Sequence, residues 1–513
     1  MNSQSNSSSL CDPKMSFEDC EFTILRHAID TNEKNRLKHE IISKKEELES
    51  MFQILRNFLK KNRLVLYGGF AINSILPDKA KFYDENYDIP DFDFYSPTPM
   101  HHVVELADIY HKKGFKDIEA KSGVHFGTYK LFVNFIPVAD ITLLDRVIFT
   151  NIQKKAVVKD GIHYSPPNFL RMNMYLELSR PMGQVDRWEK VLKRLNLLNQ
   201  YYPIEDEMRE IKCTQVSFQR MMKENKDNSV HIHNLVRDAF VLLGCVFFGG
   251  YATSLYAKYM TAKQQKLVRD IPDFDVLHDN PYEVAETVKT VLNDAGFAEV
   301  TLTKHAAVDS IIPESVEIKV GVDTIAFVYK PIACHNYNKI VMDGKELRIA
   351  TIDTMLSLYF AFYYSSQPYY YRDRILCMVQ FLFQVEEKNR LEQKGLLQRF
   401  VMDCKGKQET LKDMQILKMR KYEELRSQPN TLEYLTWFFR YNPSSPLMRK
   451  RVHTLLGKKP SMHTTGSVGS TASSFRKKTH PRTHRHRLRP RRPFPQRNRH
   501  MTEKNFLKKY LHI

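Results

Sequence analysis

With 513 residues, 42% of them hydrophobic, the chain holds enough apolar material for two full cores with helices and tails to spare. Seven cysteines, an odd number with no C-x-x-C pair, argue against both a disulfide framework and a thiolate zinc site, and point to a reducing compartment. The formal net charge of +19 is local: residues 447–513 hold 19 Lys or Arg against Glu503 alone, a net of +18, which leaves 59 basic against 58 acidic side chains in residues 1–446.

Residues 1–31 read as an N-terminal segment outside the folded body, with no apolar core of signal-peptide length. From Asn32 to Lys61, the apolar residues Leu37, Ile41, Leu48, Phe52, Leu55 and Leu59 recur at helical spacing and predict a long amphipathic helix. A short buried strand follows at Leu64 to Tyr67, then a turn at Gly68-Gly69 and a helix from Phe70 that Pro77 stops. Asp91 to Tyr95 predicts a second strand and His101 to Lys113 a helix stopped by Gly114. Thr128 to Asp145 predicts two strands around a turn at Asn134. Residues 166–200 predict two helices parted near Pro181-Met182-Gly183, and Lys223 to Ser229 a polar linker.

The pattern then repeats. Leu66-Tyr67-Gly68-Gly69-Phe70-Ala71 returns as Phe247-Phe248-Gly249-Gly250-Tyr251-Ala252, and Ile89 to Phe94 returns as Ile271 to Val276. Gly69 to Gly250 is a shift of 181, whereas Asp91 to Asp273 and Gly114 to Gly296 are shifts of 182, so one inserted residue relates the copies. Two copies are too few for a stacking solenoid and predict two tandem lobes, at 32–222 and 235–375, in a mixed α/β fold. The uncharged run 239–257 has the length of a membrane span, but its double glycine and its lysine-flanked first copy favour a helix end, a strand and a second helix. Residues 376–446 predict a closing helical module. Residues 447–513, rich in Arg, Pro and His, predict a disordered basic arm suited to phosphate backbones.

Alternate residues of a strand share a face, so Asp91 and Asp93 are expected side by side, with Phe92 and Phe94 turned to the core. Paired carboxylates are hard ligands for Mg²⁺ or Mn²⁺, and Asp140, among apolar residues on a later strand, would complete a two-metal site. Gly68 and Gly69 leave the strand end bare for a triphosphate to approach backbone N–H groups. Trp188 and Lys190 are weaker candidates for nucleotide contact, since both suit the packing and solvated faces of an amphipathic helix. In the second copy, aligning Tyr129–Asp140 with Val316–Phe327 puts Phe327 where Asp140 stands, while a competing register offers Asp323.

Gly-Gly at a strand-to-helix turn, then Asp-x-Asp, then Asp within an apolar strand resembles the polymerase β-like nucleotidyltransferases. Twenty-one residues separate Gly69 from Asp91, about twice the usual spacing, which implies a lengthened intervening helix. The wider set Val65 to Asn73, Asp91 to Pro97, Phe132 to Leu144, Met174 to Pro181 and Val185 to Val191 resembles the poly(A) polymerase catalytic subunits of large cytoplasmic DNA viruses, over about residues 35–440. That resemblance implies adenylate addition from ATP to an mRNA 3′ end, Asp91, Asp93 and Asp140 as metal ligands and Gly68 and Gly69 as the nucleotide turn. It further implies a homodimer without membrane attachment, located in the host cytoplasm and the virion. The alternatives are a CCA-adding or oligoadenylate-forming transferase, or a catalytically silent RNA-binding scaffold.

Overall fold

The computed structural model of the chain describes residues 11, 15–18, 20–28, 45–83, 90–218, 222–268 and 273–457. Most of the N-terminal segment, residues 32–44 of the expected first helix and the basic arm from residue 458 onward lie outside the described residues. Two mixed eight-stranded sheets, each with helices packed on it, carry the two sequence copies.

In the first lobe, α1 (Lys45–Asn62) leads into β1 (Val65–Leu66) and α2 (Gly68–Ile75), then β2 (Phe92–Ser96), α3 (Pro99–Lys112), β3 (Ile118–Ser122), β4 (Thr128–Val133) and β5 (Ile136–Leu143). After α4 (Arg146–Lys154) come the hairpin β6 (Val157–Lys159) and β7 (Ile162–Tyr164) and the helices α5 (Pro167–Leu178) and α6 (Trp188–Tyr201). Alternation decides which way β2 faces. Phe92 and Phe94 are buried, with Phe92 packed on Phe52 of α1 at 5.5 Å between ring centroids, and this leaves Asp93 on the opposite face. The expected turn between β4 and β5 is formed by Asn134 and Phe135, both in the left-handed region (φ 48° and 66°).

The second lobe repeats this plan. It runs through α7 (Ser229–Leu242), β8 (Val246–Phe248), α8 (Gly249–Leu255), α9 (Ala262–Leu267), β9 (Phe274–Leu277) and α10 (Pro281–Asp294). The strands β10 (Val300–His305), β11 (Ser315–Val320), β12 (Asp323–Tyr329), β13 (His335–Met342) and β14 (Lys345–Ala350) complete it. The uncharged run 239–257 is thus the end of α7, β8 and α8, and no helix among the described residues is long and apolar enough to cross a membrane. α11 (Ile352–Ser365), buried at every residue, packs on α5 through Phe169 against Tyr364 (5.2 Å) and Tyr175 against Phe360 (6.4 Å), so the two lobes share one core.

Four expectations need correction. The extra residues before Asp91 do not lengthen α2, which has eight residues; among the described ones, Asp78–Ala80 form a short 3-10 turn and the Phe82 and Tyr83 N–H groups donate to the buried Asn73 side chain (2.8 and 3.0 Å). The closing module is not purely helical. Besides α12 (Arg372–Lys388), α13 (Leu411–Leu425) and α14 (Leu432–Phe438), it contains β15 (Cys404–Lys405), which pairs with β13, and β16 (Arg440–Tyr441), which pairs with β3. Two-residue strands carry too little sequence to show a period. The basic arm does not begin at residue 447, because α15 (Pro446–Gly457) packs with Val452 buried and His453 Nε2 3.0 Å from Asp108. Finally, six cysteines pair as Cys11–Cys20, Cys213–Cys377 and Cys334–Cys404, leaving Cys245 free and buried. The last two pairs are 164 and 70 residues apart in sequence, so the fold, which spacing does not reveal, makes them neighbours.

Candidate active site

Sheet register assembles the site. β2 and β5 are parallel with Asp93 opposite Asp140, and β5 and β4 are antiparallel with Asp140 opposite Lys130, so the three side chains form a row across three strands. Lys130 Nζ is ion-paired with Asp140 Oδ2. Asp91 is not in the strand as expected: it immediately precedes β2, exposed, and its carbonyl accepts from the Asp93 N–H (3.2 Å). Burial, followed by the like charges of Asp140 and Asp91, pushes the Asp93 carboxyl up to about 7, against the lowering effect of Lys130 and Arg187. Two carboxylates facing each other call for a cation between them, and Lys130 neutralises only one.

Gly68 stands directly above this row. Its φ of +75° suits glycine, and a Cβ there would lie 2.8 Å from Asp93 Oδ2, so any side chain would collide with the carboxylate. A Cβ on Gly69 would meet Tyr83 Oη at 2.7 Å and Arg194 Nη1 at 2.8 Å. Arg194, on α6, donates to Tyr83 Oη (2.7 Å) and lies over the Phe82 ring at 4.9 Å. A guanidinium is thereby fixed beside the Gly-Gly turn, where a triphosphate would need it. Arg194 lies one turn beyond Lys190 on α6, and no local period in the sequence marks it, because only its contacts with Phe82 and Tyr83 show that this face meets the glycines.

Trp188 and Lys190 do not join the site. Trp188 donates through Nε1 to the Glu177 carbonyl (3.0 Å) and packs on Phe400 (5.4 Å), a structural role, while Lys190 is exposed. Behind the row, Tyr67 stacks on Tyr95 (4.0 Å) and its hydroxyl is 2.9 Å from Thr142 Oγ1. The cavity beside this pair measures about 140 Å³, below what a nucleotide needs.

The second lobe keeps the frame and changes the chemistry. Gly249 is again left-handed (φ +68°), and a Cβ there would collide with the Asp275 carboxylate, but the residue opposite Asp275 on the parallel strand β12 is Phe327. Asp323, the competing third carboxylate, is buried at the start of β12 and accepts from the backbone N–H groups of Lys223, Glu224 and Asn225 (2.6, 3.0 and 2.9 Å), so it serves the linker. Those bonds hold its carboxyl below the usual range against the effect of burial. Asp273 lies 3.8 Å from the buried Arg374 guanidinium.

Among the described residues no three His, Cys, Asp or Glu side chains converge as a metal cage. Mg²⁺, however, is usually held by one or two carboxylates and completes its shell with substrate phosphates and water. The facing Asp93 and Asp140, with Asp91 adjacent and Gly68 leaving the space above them clear, fit a divalent cation that arrives with a nucleotide.

Residues 53–184 match the family described as Poly(A) polymerase catalytic subunit. A protein of Acanthamoeba polyphaga mimivirus named "Putative poly(A) polymerase catalytic subunit" is 35% identical over 164 residues, 31% of this chain and 28% of the relative. A protein of the same name from African swine fever virus is 31% identical over 181 residues, 33% of this chain and 38% of the relative. The alignments thus span roughly a third of the relatives' own length, and the family match over residues 53–184 holds the Gly-Gly turn and the carboxylates. The crystal structure of the Megavirus polyadenylate synthase superposes with a TM-score of 0.72 at 19% identity, over 89% of this chain and 92% of that one. The chain therefore shares the sequence of residues 53–184 with the poly(A) polymerase catalytic subunit family and its two-lobed fold, over 89% of its length, with the Megavirus polyadenylate synthase.

Proposed function

We propose that the chain is a template-independent poly(A) polymerase that transfers AMP from ATP to the 3′ hydroxyl of mRNA. The observation that carries this reading is the Asp93–Asp140 pair beneath Gly68, within the segment that matches the family. Asp91, Asp93 and Asp140 would hold Mg²⁺ or Mn²⁺, which supplies Lewis-acid stabilisation of the charge that develops at phosphorus and on the leaving pyrophosphate. Gly68 and Gly69 admit the triphosphate to the start of α2, and Arg194, braced by Tyr83, neutralises its charge from the side. Lys130 holds Asp140 in place and supplies the balancing charge before the nucleotide arrives.

The second lobe, lacking a third carboxylate, is a structural copy that supports the first. The protein works as a homodimer in the host cytoplasm and is carried in the virion, with the basic arm gripping RNA nonspecifically, as its charge favours. Incubation with an RNA primer, Mg²⁺ and each nucleoside triphosphate separately tests the reading. Extension with ATP alone is expected; extension with CTP would favour a CCA-adding enzyme, and no extension a silent scaffold.

A further inference from the structure

We infer that Tyr371 and Arg372, at the start of α12, together with Lys155 at the end of α4, form a stacking surface for single-stranded RNA that crosses from one lobe to the other; this rests on the polymerase reading above. In the second lobe Tyr369 and Tyr370 pack inward, onto the strand that carries Phe327 and onto α11. Tyr369 packs on Phe327 (5.2 Å), the residue that stands in for the third carboxylate, and on His305 (4.9 Å). Tyr370 stacks on Phe362 at 4.2 Å with the rings 13° from parallel. With these two rings anchored, Tyr371 is turned outward and is 60% exposed. Beneath it the guanidinium of Arg374, fixed by Asp273, lies 5.3 Å from its ring centre, so the outward face is held ready instead of sweeping through solvent.

The cations beside it are placed just as firmly. Arg372 lies 4.8 Å and Lys155 4.2 Å from the centre of the buried Tyr363 ring, one from each lobe, and Lys155 also bonds the Tyr363 hydroxyl. Asn151, one turn earlier on α4, ties the same corner by donating to the Tyr364 carbonyl (2.8 Å) and to Ser366 Oγ (2.7 Å). Lys154 and Arg372 are exposed, as is the neighbouring Asp373, so the strip is net basic. An exposed ring flanked by fixed cations suits a strand whose bases stack and whose phosphates are neutralised, without reading sequence. Such a surface would guide the growing tail away from the catalytic lobe.

The full chain is tested for equilibrium binding of a labelled oligoadenylate and of inorganic polyphosphate, which has the charge but no bases. The basic arm contributes equally to every variant. Tyr371→Ala is expected to bind RNA about tenfold more weakly, leave polyphosphate binding unchanged, and regain RNA affinity as Tyr371→Trp. Arg372→Ala is expected to weaken both ligands and to raise KM for the primer. Unchanged RNA affinity in Tyr371→Ala, or an equal loss for polyphosphate, overturns the stacking surface. So does loss of self-association in sedimentation with RNA affinity per subunit preserved, which assigns the patch to a second copy. Primer extension by the unmutated chain is measured alongside: its absence overturns the polymerase reading, whereas extension with unaltered Tyr371→Ala binding overturns only the surface.

Discussion

Phe327 faces Asp275 across two parallel strands in the second sheet, the register position that Asp140 holds opposite Asp93 in the first. A phenyl ring cannot ligate a cation, so Asp275→Asn should retain most primer extension, whereas Asp93→Asn or Asp140→Asn should lose about two orders of magnitude or more. Asp273→Ala is a different experiment, because it leaves the buried Arg374 without its carboxylate and should cost about 3 kcal/mol in urea unfolding. A loss of activity in Asp275→Asn as deep as in Asp93→Asn would make the second lobe catalytic.

Stability should depend on pH through Asp93. Its carboxyl titrates near 7 in the folded state, above the unfolded range near 4. The folded state therefore binds the extra proton between these values, and the stability present below about pH 4 is lost as pH rises to about 7, by up to about 4 kcal/mol. Melting curves in EDTA should show this decline for the unmutated chain, a flatter profile for Asp93→Asn, and recovery on adding a divalent cation at alkaline pH.

Gly68→Ala should abolish extension and lower stability by about 1–2 kcal/mol, since the new methyl meets Asp93 and the backbone is left-handed. Arg194→Ala should keep the fold and raise KM for ATP about tenfold or more, because one charge-assisted phosphate contact is removed. Steady-state kinetics with saturating primer separates the two. An unchanged KM for ATP would remove Arg194 from the nucleotide site.

Lys130 is ion-paired with Asp140, where a metal ion would have to bind. Lys130→Met should bind Mn²⁺ more tightly than the unmutated chain in the absence of nucleotide, by a fewfold, as read by titration calorimetry. Equal affinity would mean that the ammonium group does not occupy the cation's place.

Removing residues 458–513, which hold 16 Lys or Arg against Glu503 for a net of +15, should leave the melting temperature unchanged and flatten the salt dependence of RNA binding. Cutting instead at residue 447 should also lower the melting temperature, because Val452 and the His453–Asp108 contact go with it.

The strand containing Asp93, the turn at Asn134, the helices flanking Pro181 and the duplicated plan were legible in the sequence because each rests on a local period or a local breaker. The register that sets Phe327 against Asp275 was legible too, since apolar alternation on paired strands leaves few alignments. Arg194 was not, because its place depends on Phe82 and Tyr83 meeting α6, a contact that no local period announces. Nor were the cysteine pairs or the short strands Cys404–Lys405 and Arg440–Tyr441, which exist only through partners far away in sequence.

β16 forms the outer edge of the first sheet, pairing Arg440 with Lys121 and Tyr441 with Ala120, and the Tyr441 hydroxyl donates to Asp108 (2.5 Å), more than 300 residues upstream. A nascent chain leaving the ribosome therefore exposes the edge of its first sheet throughout the synthesis of the second lobe, an open β-edge that can recruit the wrong strand. The lobe that comes first in sequence is the last to be sealed, and its excision as an isolated fragment would leave that edge permanently bare.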